Sequence, residues 1–292
     1  MMENTGVILK GIGGFYYVQL GDRVLECRAG GRLRNAELTP VAGDLVDLEI
    51  KGEQGYILNI HPRKNLLKRP PIANLDQICI LASAAAPQTD PEWIDKQTVI
   101  ALRQGIQPLI LLSKSDLQRS SLLMEIYRSI GFETLEISSA TGEGVEQVRQ
   151  RLQGKITAFS GNSGIGKSSL LNSILPQAGA EVGGLGRKVA RGKQTTRAVE
   201  LYPLPEGGYV ADTPGFSTFD ILKNDDLRKE DLADWFPEME PALGKCRFTG
   251  CAHVKEPGCA VKELVVSGRI PRSRYDSYCA LYAELAKRKD WE

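Results

Sequence analysis

Several short stretches of this 292-residue chain carry residue types at spacings that can do chemistry. "GNSGIGKS", residues 161–168, fits G-x-x-x-x-G-K-[ST] directly after an apolar run. Glycines there let backbone N–H groups turn inward around phosphate oxygens, at a helix N-terminus whose dipole favours anions. The candidate loop is Gly161, Asn162, Ser163, Gly164, Ile165, Gly166, Lys167, Ser168 and Ser169. Lys167 is expected to reach the β- and γ-phosphates, and the Ser168 hydroxyl to bind Mg²⁺. "DTPG", residues 212–215, follows an apolar strand, so Asp212 is a candidate second contact to Mg²⁺ and the Gly215 N–H a candidate partner of the γ-phosphate. In "GKQTTR", Thr195 and Thr196 are candidates to close over Mg²⁺.

"LLSKSDL", residues 111–117, precedes the phosphate loop by about fifty residues. A carboxylate accepts two hydrogen bonds from the N1–H and N2–H₂ edge of guanine, an edge adenine does not offer. Asp116 is placed for that, with the Lys114 stem along the base, and Ser113 and Ser115 completing the turn. "SSA", residues 138–140, ends the next strand, where Ser139 and the Ala140 backbone N–H face guanine O6. Both pieces lie at C-terminal strand ends of one α/β sheet, where nucleotides bind. In ordinary GTP-binding domains the phosphate loop comes first. The site is the same in space if the termini of a doubly wound domain are rejoined, so a circularly permuted domain is expected.

"CRFTGCAHVKEPGC" reads C-x4-C-x-H-x5-C and sets Cys246, Cys251, His253 and Cys259 within fourteen residues. Three thiolates and one imidazole make a closed tetrahedral zinc site, structural rather than catalytic. Cys27, Cys79 and Cys279 are scattered and read as small core or surface residues. The only other histidine is His61 beside Pro62, which leaves no histidine for a Ser-His-Asp hydrolase.

The elements that must position these groups are legible in the hydrophobic pattern. Five short alternating runs within residues 6–60 predict a small closed barrel of the OB type. "HPRKNLLKRPPIANLDQ" reads as a basic, proline-bearing linker. From residue 77, apolar strands alternate with helices: "QICILAS", a helix capped by Asp90, "QPLILLS", a helix from about 116 to 130, "FETLEIS", a short helix, and "KITAFS". A helix follows the glycine loop, and strands near 199–204 and 208–212 complete a mostly parallel sheet. After 220 the chain turns charged and helical and ends in a helix. The expected domains are a barrel over 1–65, a permuted P-loop α/β domain over 66–221 and a helical zinc-binding domain over 222–292.

Composition is that of a soluble globular protein, 42% hydrophobic and 25% charged with a mean hydropathy of -0.22. No apolar run approaches the roughly 18 residues that span a bilayer, and a cytoplasmic monomer without membrane attachment is expected. Net charge is only +1. Its distribution is uneven: Arg187, Lys188, Arg191, Lys193 and Arg197 form one acid-free run, and Arg63, Lys64, Lys68 and Arg69 another. From Gly244 onward there are ten basic and six acidic residues. Three basic clusters point to a polyanionic partner.

The permuted order, the N-terminal barrel and the C-x4-C-x-H-x5-C spacing together resemble the RsgA (YjeQ) family of circularly permuted GTPases, over nearly the whole chain, including "LLKRPPIANLDQ", "RGKQTTR" and "DTPGF". The resemblance implies a GTP hydrolase that binds the late small ribosomal subunit, contacts its rRNA and leaves after hydrolysis. An alternative is an rRNA-binding module regulated by GTP with incidental turnover. Two departures stand out. Ser113 occupies the position where the family's base motif begins with Asn, and Gln194 stands where the family has a His before its paired threonines. Gln194 can orient water but cannot act as an ionised acid or base. Phe216 follows "DTPG", where many GTPases carry their water-orienting Gln. Slow intrinsic hydrolysis that depends on a partner is the expected consequence.

Overall fold

The computed structural model describes residues 4–30, 38–68, 70–175, 199–212 and 227–287. The first strands are β1 (Thr5–Ile12), β2 (Phe15–Leu20), β3 (Arg23–Ala29), β4 (Leu45–Lys51) and β5 (Gln54–Ile60). Alternate residues of each point inward, so Ile8, Val18, Cys27, Val46, Leu48 and Ile57 fill one small core. The strands close in the order β1-β2-β3-β5-β4, with β4 pairing back to β1, which leaves no free edge. This is the five-stranded OB-type barrel the alternation predicts.

The stretch read as a linker is instead a packed ribbon of β6 (Leu66–Lys68) and β7 (Pro71–Ala73). Leu67 and Ile72 are buried in the core of the following domain, and the Ala73 N–H donates to Ala42 O of the barrel at 2.9 Å. Gly43 makes this approach possible: its φ is +87°, and a Cβ there would lie 2.1 Å from Ala73 O. The basic cluster also changes meaning. Arg63 donates to both oxygens of the fully buried Asp44, at 2.7 and 2.8 Å, and Lys64 pairs with Asp76 at 2.5 Å. Half of that cluster is therefore committed to the protein's own carboxylates, which charge counting along a sequence does not reveal.

The central sheet contains β8 (Gln77–Ala82), β9 (Gln107–Leu112), β10 (Glu133–Glu136), β11 (Ile156–Ser160), β12 (Glu200–Pro203) and β13 (Tyr209–Asp212). Between them run α1 (Pro91–Arg103), α2 (Ser121–Ser129), α3 (Val145–Leu152) and α4 (Lys167–Ile174). The spatial order is β10-β9-β8-β11-β13-β12, parallel except for β12 against β13. The chain thus fills one half of the sheet first, then returns through α3 to the centre and builds the other half. Asp90 caps α1 by accepting from the Glu92 N–H at 2.9 Å, with Pro91 in the first turn. Helix α2 starts five residues later than expected, because residues 114–118 form a turn of their own: Lys114 sits at φ +60°, and the Leu117 and Gln118 N–H groups both donate to its carbonyl.

The C-terminal part comprises 3-10 segments at Lys229–Trp235 and Pro237–Ala242, then α5 (Ala260–Val266) and α6 (Arg272–Leu285). Pro237 and Pro241 account for the tight, irregular geometry of the second segment. Its core, with Leu232, Phe236, Met239, Tyr278 and Leu281, is continuous with Val99 and Ile100 of α1. Below these apolar contacts lies a buried ion cluster. Arg274 of α6 is wholly inaccessible and donates to Asp95 of α1 at 2.6 Å and to Glu238 at 2.7 Å. Burial works against its charge, but the two carboxylates outweigh that and raise its pKa. On the other flank, Leu9 of the barrel packs in one cluster with Val199 and Leu201, and Lys10 pairs with Glu200 at 2.6 Å.

Candidate nucleotide site and metal cluster

The phosphate loop leaves β11 at the C-terminal edge of the sheet and enters α4 directly. Gly166 sits at φ +106° immediately before the helix, a conformation that turns the loop back over its own axis. Gly161 has no room for a side chain: a Cβ would lie 2.9 Å from Ile165 Cγ2 and 3.1 Å from Leu81. Ile165 is fully buried and pins the loop to the core. Lys167 curls back, its Nζ donating to Gly161 O and to Asn162 O, the latter at 3.0 Å. Burial pulls its pKa below the ordinary lysine value, so an anion at the loop would be met by a charge that is incompletely solvated. Asn162 and Gly166 are half-buried, while Ser163, Gly164, Ser168 and Ser169 are exposed at the mouth.

The turn at 113–116 ends β9, two strands away across β8. Buried Ser113 reaches the phosphate loop: its hydroxyl lies 2.8 Å from Ile165 O and 3.1 Å from Ala82 O, and donates to these carbonyls. The shorter serine thus ties the turn to the loop without the amide expected at this position. Lys114 donates to Ala86 O at 2.6 Å, in the segment between β8 and α1, and Pro87 of that segment faces Gly164. Asp116 is exposed and accepts from the Ser138 hydroxyl at 2.5 Å. Ser138 also accepts from the Thr141 N–H at 3.2 Å, which shapes the turn that presents Ala140 at the surface. Ser139 is half-buried beside it. Ser115 donates to Glu143 at 2.9 Å, and Arg119 donates to the same carboxylate, holding it below the usual range.

Ser138 and Glu143 are absent from the sequence-predicted set. Ser138 lay within the recognised "SSA" but carried no spacing signal, and Glu143 is contacted only because two strand ends meet. Asp212 is the last residue of β13, adjacent to β11. Its side chain, and Gln194, Thr195, Thr196 and Gly215, lie outside the described residues, as does the basic run at 187–197.

The ligand atoms of Cys246, Cys251, His253 and Cys259 all lie within 4.8 Å of one another. Cys246 Sγ stands 3.9 Å from Cys259 Sγ, and both sulfurs are 3.4 Å from His253 Nδ1. A tetrahedral ion with metal–sulfur bonds near 2.3 Å requires edges of about 3.8 Å between sulfurs and about 3.5 Å from sulfur to nitrogen. The donor set therefore fits one ion. The knuckle is held from behind, since Tyr275 and Tyr278 of α6 donate to the carbonyls of His253 and Ala252 at 2.9 Å. The backbone N–H of Glu256 itself, and then those of Ala252, Lys255 and Val254 in the same turn, stabilise its carboxylate and lower its pKa.

A permuted six-stranded sheet with a phosphate loop at its central strand, a closed barrel before it and a Cys₃His knuckle after it define a circularly permuted P-loop GTPase. The chain matches the RsgA GTPase family over residues 60–222 and the RsgA N-terminal domain over residues 5–57. It is 42% identical to the small ribosomal subunit biogenesis GTPase RsgA of Caldanaerobacter subterraneus subsp. tengcongensis, covering 99% of this chain and 98% of that one. The RsgA of Alkaliphilus metalliredigens is also 42% identical, over 98% and 99%. Among solved structures, YjeQ from Thermotoga maritima superposes with a TM-score of 0.84 at 33% identity, covering 98% of this chain and 99% of that one. YloQ, described as a circularly permuted GTPase, gives 0.81 at 35% identity, over 98% and 96%. The chain belongs to the RsgA GTPase family and is a GTP hydrolase. Among the described residues no helix is long and apolar enough to cross a membrane.

Proposed function

We propose that this protein acts in late maturation of the small ribosomal subunit, as a cytoplasmic monomer whose GTP hydrolysis is stimulated by that subunit. The observation that carries the reading is the pairing of Asp116 with Ser138 at the same sheet edge as the phosphate loop, bridged to it through Ser113. In this reading residues 161–169 hold the phosphates, Lys167 neutralises the β- and γ-oxygens, and Ser168 with Asp212 binds Mg²⁺, which supplies charge neutralisation at the reacting phosphate. Ser138 aims the Asp116 carboxylate at the guanine edge, Lys114 and Ser115 hold that turn, and Ser139 with the Ala140 N–H faces O6. Gln194, Thr196 and Gly215 complete the γ-phosphate side. The domains are those over 1–65, 66–221 and 222–292. The partner is supported by the names of the relatives, which are small ribosomal subunit biogenesis GTPases.

GTP turnover titrated with purified small subunits tests this. Stimulation of at least about tenfold is expected, given that partner-supplied groups raise the slow intrinsic rates of such enzymes by far more. Unchanged turnover would leave the GTP-regulated rRNA-binding module instead, and ATP displacing labelled GDP as well as GTP does would remove the guanine reading.

The ion at the knuckle is proposed to be zinc, because soft thiolates with one imidazole in tetrahedral array select it and leave no open position for chemistry. Elemental analysis of protein purified without chelator should find about one zinc per chain. Iron in its place, or no metal, would refute the assignment.

A further inference from the structure

Helix α1 carries a buried contact that the site as described does not use. Gln97 is 1% exposed and accepts the Ser160 hydroxyl at 2.9 Å, and Ser160 is itself fully buried. Ser160 is the last residue of β11, so its peptide joins directly to Gly161, whose carbonyl receives Lys167 Nζ. The other end of the same amide, Nε2, is buried without a hydrogen-bond partner among the described residues. The Ser160 bond survives exchange of the amide oxygen and nitrogen, because a hydroxyl both donates and accepts; either way one end of the amide stays unpaired. A buried amide with an unpaired end is a worse stabiliser than an apolar side chain of the same length. Packing alone therefore does not account for glutamine on this face of α1.

We propose that Gln97 is a positioning residue for the nucleotide. Through Ser160 it fixes the first peptide of the phosphate loop to α1, so that the inward N–H groups and Lys167 are already arranged when phosphates arrive. Without this anchor the loop samples other arrangements, and binding must order it first, which lowers affinity for any nucleotide diphosphate or triphosphate. Thr98 and Asp95 on the same helix hold Arg274, so one rigid element carries both the C-terminal domain and the loop's anchor. The inference rests on the reading that residues 161–169 hold the phosphates of GTP.

The test is a double-mutant cycle in the full chain, with titration of GDP and of a non-hydrolysable GTP analogue as the readout. Gln97→Leu and Ser160→Ala should each weaken both nucleotides by about fivefold, the scale of one lost hydrogen bond. The double variant should be weakened by clearly less than the product of the two single effects, because both changes remove the bond that Gln97 and Ser160 share. Effects that multiply, or parental affinity in both singles, would overturn the proposal even where melting temperatures fall. Gln97→Met keeps the side chain's length should the leucine variant not fold. A parental protein that binds neither GDP nor the analogue would instead sink the phosphate-loop reading itself, before any variant is compared.

Discussion

Lys167→Ala is expected to lower the single-turnover rate of GTP hydrolysis by about 10²- to 10³-fold, the usual cost of removing one preorganised charge stabiliser. The magnitude follows from where the ammonium sits. It is half-buried and rests on the carbonyls of Gly161 and Asn162, and desolvation already lowers its pKa. Such a cation is poorly hydrated, so it loses little on meeting the γ-phosphate and gains most as charge develops on the transferring group. The alanine variant should still fold, because Ile165, the bond from Ser113 and the contact between Gln97 and Ser160 hold the loop, and none of them involves the lysine. Parental turnover in a folded Lys167→Ala protein would overturn the phosphate-loop assignment.

Arg274→Leu should destabilise the protein by about 3–5 kcal/mol, as removal of one member of a buried ion cluster does. The substitution leaves Asp95, at 0% exposure, and Glu238, whose side chain is 3% exposed, without their shared cation. It also removes the guanidinium from the Phe236 ring, whose centroid lies 4.6 Å away. Because Asp95 is on α1 and Arg274 on α6, the loss falls on the junction between the GTPase sheet and the metal knuckle. The midpoint of urea unfolding reports it directly. A shift worth less than about 1 kcal/mol would mean that the apolar contacts of Val99 and Ile100 hold the junction alone. Replacing all three ionic residues by leucine-sized side chains should recover much of the loss, since desolvating the cluster is itself costly.

Much of the candidate site could be read from local spacing. The phosphate loop and the knuckle each lie in one short segment, where the chemistry demands fixed separations between glycines and lysine, or between thiolates and imidazole. The barrel strands were legible for the same reason, since period-2 burial is written in neighbouring residues. The linker reading failed because Leu67 and Ile72 are buried by partners far along the chain. The late start of α2 was missed because the turn at 114–118 depends on a left-handed Lys114, which a helical pattern does not disclose.

What the residue order alone determined is the inventory: a glycine loop with its lysine, an aspartate turn that precedes it, and four metal ligands in one knuckle. It also determined that these pieces belong to a permuted sheet, because their order is covalent. Only the tertiary structure decided how they work together. Ser138 meets Asp116, Ser113 meets Ile165 O, Gln97 meets Ser160 and Arg274 meets Asp95 across separations of 22, 52, 63 and 179 residues. Each bond needs the folded sheet to bring its partners together, and all but the one to the exposed Asp116 lie out of water, where an unpaired polar group is costly and a paired one is held still.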